Sequence, residues 1–211
     1  AKHLLRWLPE FALRYGEWSK MGAANTVDLL AKAAASIYQS DKYKKRGEFG
    51  EIMLHAMIRQ KFKSLPAIAK YYYKDSANDT VKGFDTVHVV PIASKKWELW
   101  LGEGKFYNEI ARGIRGIVAE LQEHTKRDYM RSEFAAITNK IDDELPQANE
   151  LRELLGQNTS LDKVFERVCI PVLLTYDSQL FTTHSKPTDE YRVAFDAEVR
   201  LHHAAFAGKT L

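Results

Sequence analysis

The 211 residues carry 31 basic and 28 acidic side chains, a formal net charge of +3 and 45% apolar residues. This is the balance of a globular chain long enough to bury a real core, without the bulk charge that announces a nucleic-acid binder. A single cysteine, Cys169, excludes an intramolecular disulfide and a cysteine-rich metal site.

The opening HLLRWLPEFALRYGEW is aromatic and helical in pattern, with Pro9 interrupting it. NTVDLLAKAAASIYQS offers cap residues at Asn25 and Thr26, then Leu29, Leu30, Ala33, Ala34 and Ile37 at helical spacing. The basic segment DKYKKRG ends at Gly47, and EFGEIMLHAMIRQKF predicts an amphipathic helix. Its apolar stripe is Phe49, Ile52, Met53 and Ala56, with Glu48, Glu51 and His55 as a polar line opposite. After Pro66, AIAKYYYKD predicts a strand, SANDTVKG a turn and FDTVHVVPI a second, β-branched strand. SKK then turns the chain into WELWLGEGKFY, a third strand.

Asn108 is placed to cap the helix EIARGIRGIVAELQEHTK, whose core face is Ile110, Ile114, Ile117, Val118 and Leu121. Further helix extends to Pro146 and Gly156, and TSLDKVFERV predicts a short capped helix. CIPVLLTYDS follows as a strand holding Cys169 as a buried structural thiol, and TDEYRVAFDAEVRLHHAAFAG closes the chain as one helix. The order predicts an α/β fold, a central mixed β-sheet flanked by helices, with helical additions at both ends. One domain is expected over residues 1–211: an N-terminal helical extension 1–46, a core 47–176 and a C-terminal helical extension 177–211. No run approaches the ~18 consecutive apolar residues of a membrane span and no signal peptide is recognisable, so a cytoplasmic setting without membrane contact is expected.

Charges inside the third strand are costly unless paired, solvated or bound to something. Glu103 and Lys105 stand two apart and so share one face, and Gly104 between them lets its carbonyl approach a ligand closely. Pairing Val90 with Trp97 in a hairpin brings Asp85 near Glu103, a twist or bulge absorbing one residue of difference. Taken singly, Asp85 caps the turn after Gly83, Glu103 and Lys105 form a strand-end ion pair, and Glu51 makes a salt bridge. Taken together, converging carboxylates suit a hard cation such as Mg²⁺ or Mn²⁺, with a lysine to orient water or hold phosphate. Lys44, Lys45 and Arg46 ahead of the helix, and Arg112 and Arg115 after the strand, are candidate contacts to a DNA backbone.

The D…ExK spacing on adjacent strands behind a glutamate-bearing helix resembles the PD-(D/E)xK phosphodiesterase superfamily over about residues 47 to 176, although Phe84 stands where the pattern has Pro. That resemblance implies a restriction-endonuclease-like core with Asp85, Glu103, Lys105 and Glu51 as catalytic positions. Asp85, Glu103, the Gly104 carbonyl and Glu51 would serve the metal, and Lys105 the nucleophilic water. More narrowly, GEFGEIMLHAMI, KGFDTVHVV and ELWLGEGKFY resemble the HamA nuclease subunits of bacterial Hachiman anti-phage systems. This implies a bacterial DNA endonuclease or nickase of low sequence specificity, the effector of a defence complex controlled by a HamB-like helicase. The alternative is a catalytically silent nuclease-fold module that docks on the helicase and binds DNA.

Overall fold

The computed structural model of the protein describes residues 2–38, 47–69, 83–93 and 96–209. The chain divides into two compact units, Ala1–Gly104 with Lys126–Leu173, and Lys105–Thr125 with Leu174–Leu211. The first unit holds most of a mixed sheet: β1 (Leu65–Pro66), β2 (Thr86–Pro91), β3 (Trp97–Phe106), β4 (Val168–Cys169) and β5 (Val172–Thr175). The path is β1-β2-β3-β4, with β5 also paired to β3, antiparallel up to β3 and parallel between β3 and β4. β3 and β5 begin in the first unit and run on into the second.

The first five residues of β2, Thr86–Val90, are all buried. A strand covered on both faces reads as a continuous apolar run, and two sets of helices provide the cover. Val87, Val89, Trp97, Leu99 and Leu101 pack into the main core. It also contains Met130, Phe134 and Ile137 of α7 (Arg127–Thr138) and Leu151 and Leu155 of α8 (Ala148–Leu155). On the other face Val90 joins Leu54 and Ile58 of α5 (Glu48–Phe62), with Trp100 partly buried against them. The period of two along β3 therefore aims Glu103 to the α7 side, and sets Gly102 and Gly104 on the α5 side.

Ahead of α5 lie α1 (Lys2–Leu5), α2 (Leu8–Ala12), α3 (Tyr15–Trp18) and α4 (Thr26–Tyr38). Pro9 falls in the first turn of α2, where its missing N–H is no loss. Leu8, Phe11, Ala12, Leu13, Ala33 and Ile37 form a second core with Ile52 of α5. Clamped between this core and the sheet, α5 departs from the predicted stripe. Phe49 is exposed, while Leu54, Ile58 and His55 are buried, so His55 does not belong to a solvent-facing polar line.

Other expectations shift for local reasons. Of the strand expected over 67–75, residues 67–69 are not in a strand and 70–75 lie outside the described residues, which end here at 69 and resume at 83; the two-residue β1 stands just before it, its Pro66 suiting an edge position. The expected strand over 169–178 is split at Ile170–Pro171 into β4 and β5. Cys169 is half-buried rather than fully buried, and burial, then Glu98, raises its thiol pKa. The short capped helix is α9 (Leu161–Phe165), with Ser160 accepting from the Lys163 N–H.

The second unit contains α6 (Ile110–His124), α10 (Leu180–Thr183) and α11 (Asp189–Ala207), the last capped by Thr188. Asn108 does not cap α6: its side-chain amide donates to Asp177 at 2.8 Å, and Glu109 holds the N-cap position without a side-chain cap. The buried face of α6 is Gly113, Ile114, Ile117 and Leu121, narrower than predicted, with Ile110 and Val118 half-buried.

Candidate active site

The sheet register decides what reaches Glu103. Pro91, not Val90, pairs with Trp97, and Thr86 pairs with Gly102. The Asp85 N–H nevertheless also donates to the Gly102 carbonyl at 2.9 Å, so two residues approaching β2 oppose one of β3, as in a β-bulge. The turn ahead of it is held from α7. Gly83 has φ +109°, a conformation that favours glycine, and the next N–H, of Phe84, donates to Glu133 Oε1 at 3.3 Å. Re-aimed by this bulge, the Asp85 carboxylate accepts the Gly104 N–H at 2.8 Å through Oδ2. That N–H belongs to the peptide joining Glu103 to Gly104, so Asp85 is tied to the expected ExK segment by a charge-assisted hydrogen bond.

Glu103 is only 2% exposed, and its backbone N–H donates to the Pro171 carbonyl at 3.0 Å. At Gly104 there is room for a methyl group at ordinary contact distances. A Cβ there would stand 3.5 Å from the Gly50 backbone and 3.7 Å from Asp85 Oδ2. The first turn of α5 thus rests on Gly104, and half-buried Glu51 follows Gly50 in that turn. Lys105 is the first residue of the second unit, where its ammonium pairs with Glu120 of α6. Arg112 and Arg115 are both exposed on α6, with the Arg112 guanidinium 5.0 Å from the Tyr107 ring centre. Lys44, Lys45 and Arg46 lie outside the described residues.

Asp85, Glu103 and the Gly104 carbonyl offer only oxygen donors, the chemistry of a hard cation. Among the described residues no three His, Cys, Asp or Glu side chains gather as a metal cage. Mg²⁺ commonly takes one or two carboxylates and keeps its waters, so this donor set suits it better than a metal that needs a full protein cage.

Behind the acidic positions runs a polar chain that residue spacing does not reveal. Ser64 Oγ lies 2.9 Å from His88 Nδ1, and His88 Nε2 lies 3.1 Å from His55 Nδ1. All three residues are buried. Burial, and secondarily the Arg59 guanidinium, pushes the His88 pKa down to about 3. Burial, His88 and Arg59 together hold His55 well below its ordinary value of 6.5. Two neutral imidazoles can share one N–H···N bond, whereas two imidazolium rings would offer only donors. The unfolded chain takes up these protons near pH 6.5 and the folded chain only far lower. Stability is therefore complete above about pH 6.5 and falls as pH drops below it, the loss from His88 running on down to about pH 3. Calorimetry is expected to show the melting midpoint descending through this window; a flat midpoint would contradict the neutral buried pair. The sequence signal available is the alternation of side chains along β2, which places His88 on the same sheet face as Thr86 and Val90, the α5 side.

These features define an α/β protein with a mixed central sheet, helices on both of its faces, and Asp85, ahead of β2, hydrogen-bonded to Gly104 on the central strand next to the buried Glu103. The HamA family model matches residues 1–210, and the chain belongs to that family. It is also similar to Anti-bacteriophage protein A of Escherichia coli (strain K12), 24% identical over 191 residues. That alignment covers 89% of this chain and 34% of the relative, so the chain spans about a third of the relative's length. No solved structure matches the chain. Among the described residues no helix is long and apolar enough to cross a membrane.

Proposed function

We propose that the chain is the DNA-cleaving component of an anti-phage defence complex, a Mg²⁺- or Mn²⁺-dependent phosphodiesterase of PD-(D/E)xK type. The observation that carries the proposal is the Asp85–Gly104 hydrogen bond at 2.8 Å beside a buried glutamate, in a member of the HamA family. The name of the E. coli relative supports the defence setting. Control by a helicase partner, action in the bacterial cytoplasm and low sequence specificity belong to the same proposal, on the resemblance alone.

Asp85, Glu103 and the Gly104 carbonyl would hold the cation, which when bound lowers the pKa of water and offsets phosphate charge. Asp85 is kept in place by the Gly104 N–H and by the Gly83–Phe84 turn that Glu133 secures. Glu51 orients water from the α5 turn above Gly104. Lys105 positions the attacking water as a compact point charge, and Glu120 fixes the ammonium in the absence of substrate. Arg112 and Arg115 contact the DNA backbone without reading bases.

Supercoiled plasmid incubated with the purified chain is expected to be nicked or linearised with Mg²⁺ and untouched with a chelator. The absence of cleavage with either metal, both alone and with its helicase partner, would favour the silent docking module instead.

A further inference from the structure

The Ser64–His88–His55 chain ends on an unmatched atom. His88 uses both ring nitrogens and His55 uses Nδ1, which leaves His55 Nε2 buried without a hydrogen-bond partner. Thr86 Oγ1 is buried and unpartnered too. Both residues line the same pocket of ≈ 10 Å³, with Phe11, Phe84, Asp85 and His88 among its other walls. That volume is of the order of one water molecule, and a buried water serves to satisfy polar groups the fold has left over.

We propose that this pocket is a single-water site in which one ordered water bridges His55 Nε2 and Thr86 Oγ1, and that the chain behind it props the turn carrying Asp85. The polarity fits either way along the chain. With His55 Nδ1–H donating to His88, Nε2 is an acceptor for the water. With the chain reversed, Nε2–H donates to it. A threonine hydroxyl can answer either arrangement. Because Phe84 and Asp85 form the pocket wall, filling it fixes the segment from which Asp85 reaches Gly104. His55, His88 and Thr86 are thus positioning residues. Their effect on cleavage rests on the proposed phosphodiesterase function; their effect on the Asp85–Gly104 bond does not.

Amide hydrogen exchange of Gly104 in the full chain, read by NMR, tests the proposal, because that N–H donates to Asp85. Thr86→Val keeps the β-branched shape and the histidine chain, and removes only the hydroxyl. It is expected to lower Gly104 protection by about tenfold or more while Leu99 and Leu101 in the same strand keep theirs. His55→Phe is expected to do the same, and His55→Gln, which restores a polar group near Nε2, to recover most of the loss. Unchanged Gly104 protection in Thr86→Val overturns the proposal, as does a high-resolution crystal structure showing no water between His55 and Thr86. If His55→Phe fails to fold, Thr86→Val alone decides the matter. If no variant cleaves DNA, the exchange result still stands, so failure of the nuclease reading is told apart from failure of the water site.

Discussion

Glu103→Gln is expected to lower metal-dependent cleavage by about 10³-fold, and Lys105→Ala by about 10²–10³-fold, with cooperative unfolding retained in both. The amide of Gln keeps the volume and much of the hydrogen-bonding capacity of Glu103 and removes only the charge that would hold a cation. Without divalent cation the variant should still unfold in one cooperative transition, as the parent does. Lys105→Ala breaks the pair with Glu120, whose side chain is 38% exposed. Lys105 is only 16% exposed and Glu120 Oε2 is buried, so a partly desolvated oxygen is left behind and the stability cost is about 1–3 kcal/mol. Plasmid cleavage and circular dichroism on the same samples check both halves. Full cleavage in both variants removes Glu103 and Lys105 from the chemistry, while unfolding would assign them to the fold.

Which parts of the fold and site are legible in sequence follows from the range of the forces involved. Helices with side-chain caps, α9 and α11, can be read directly, since Ser160 and Thr188 act within one turn. The hairpin of β2 and β3 is legible because a β-branched or apolar run bounded by a short polar turn is also a local signal. Its register and the Asp85 bulge are not, because they depend on Glu133, 49 residues away from Phe84. α5 misleads for a similar reason. A helix clamped between a sheet and a helical layer buries two faces, and a single apolar stripe is then the wrong template. His55 reads as a polar neighbour because nothing local reveals that His88 of β2 and Ser64 meet it on the α5 side of the sheet.

The two glycines of GEGK, Gly102 and Gly104, answer differently to the same substitution, and their difference separates packing from site geometry. A Cβ on Gly102 would stand 2.3 Å from Thr86 Oγ1 and 2.9 Å from Leu54 Cδ2. Both neighbours are buried, Thr86 at 5% and Leu54 at 4% exposure, so neither can swing into solvent. Gly102→Ala is therefore expected to cost about 1–3 kcal/mol, a fall of several degrees in melting midpoint. Gly104→Ala meets its nearest neighbours at 3.5 and 3.7 Å, ordinary contact distances, and should change stability by less than about 1 kcal/mol. A cycle with Thr86→Ala identifies the cause. If the hydroxyl is the obstacle, Gly102→Ala costs less in the Thr86→Ala background than in the parent, a coupling of about 0.5–3 kcal/mol. Strict additivity would mean that Thr86 is not what Gly102 makes room for.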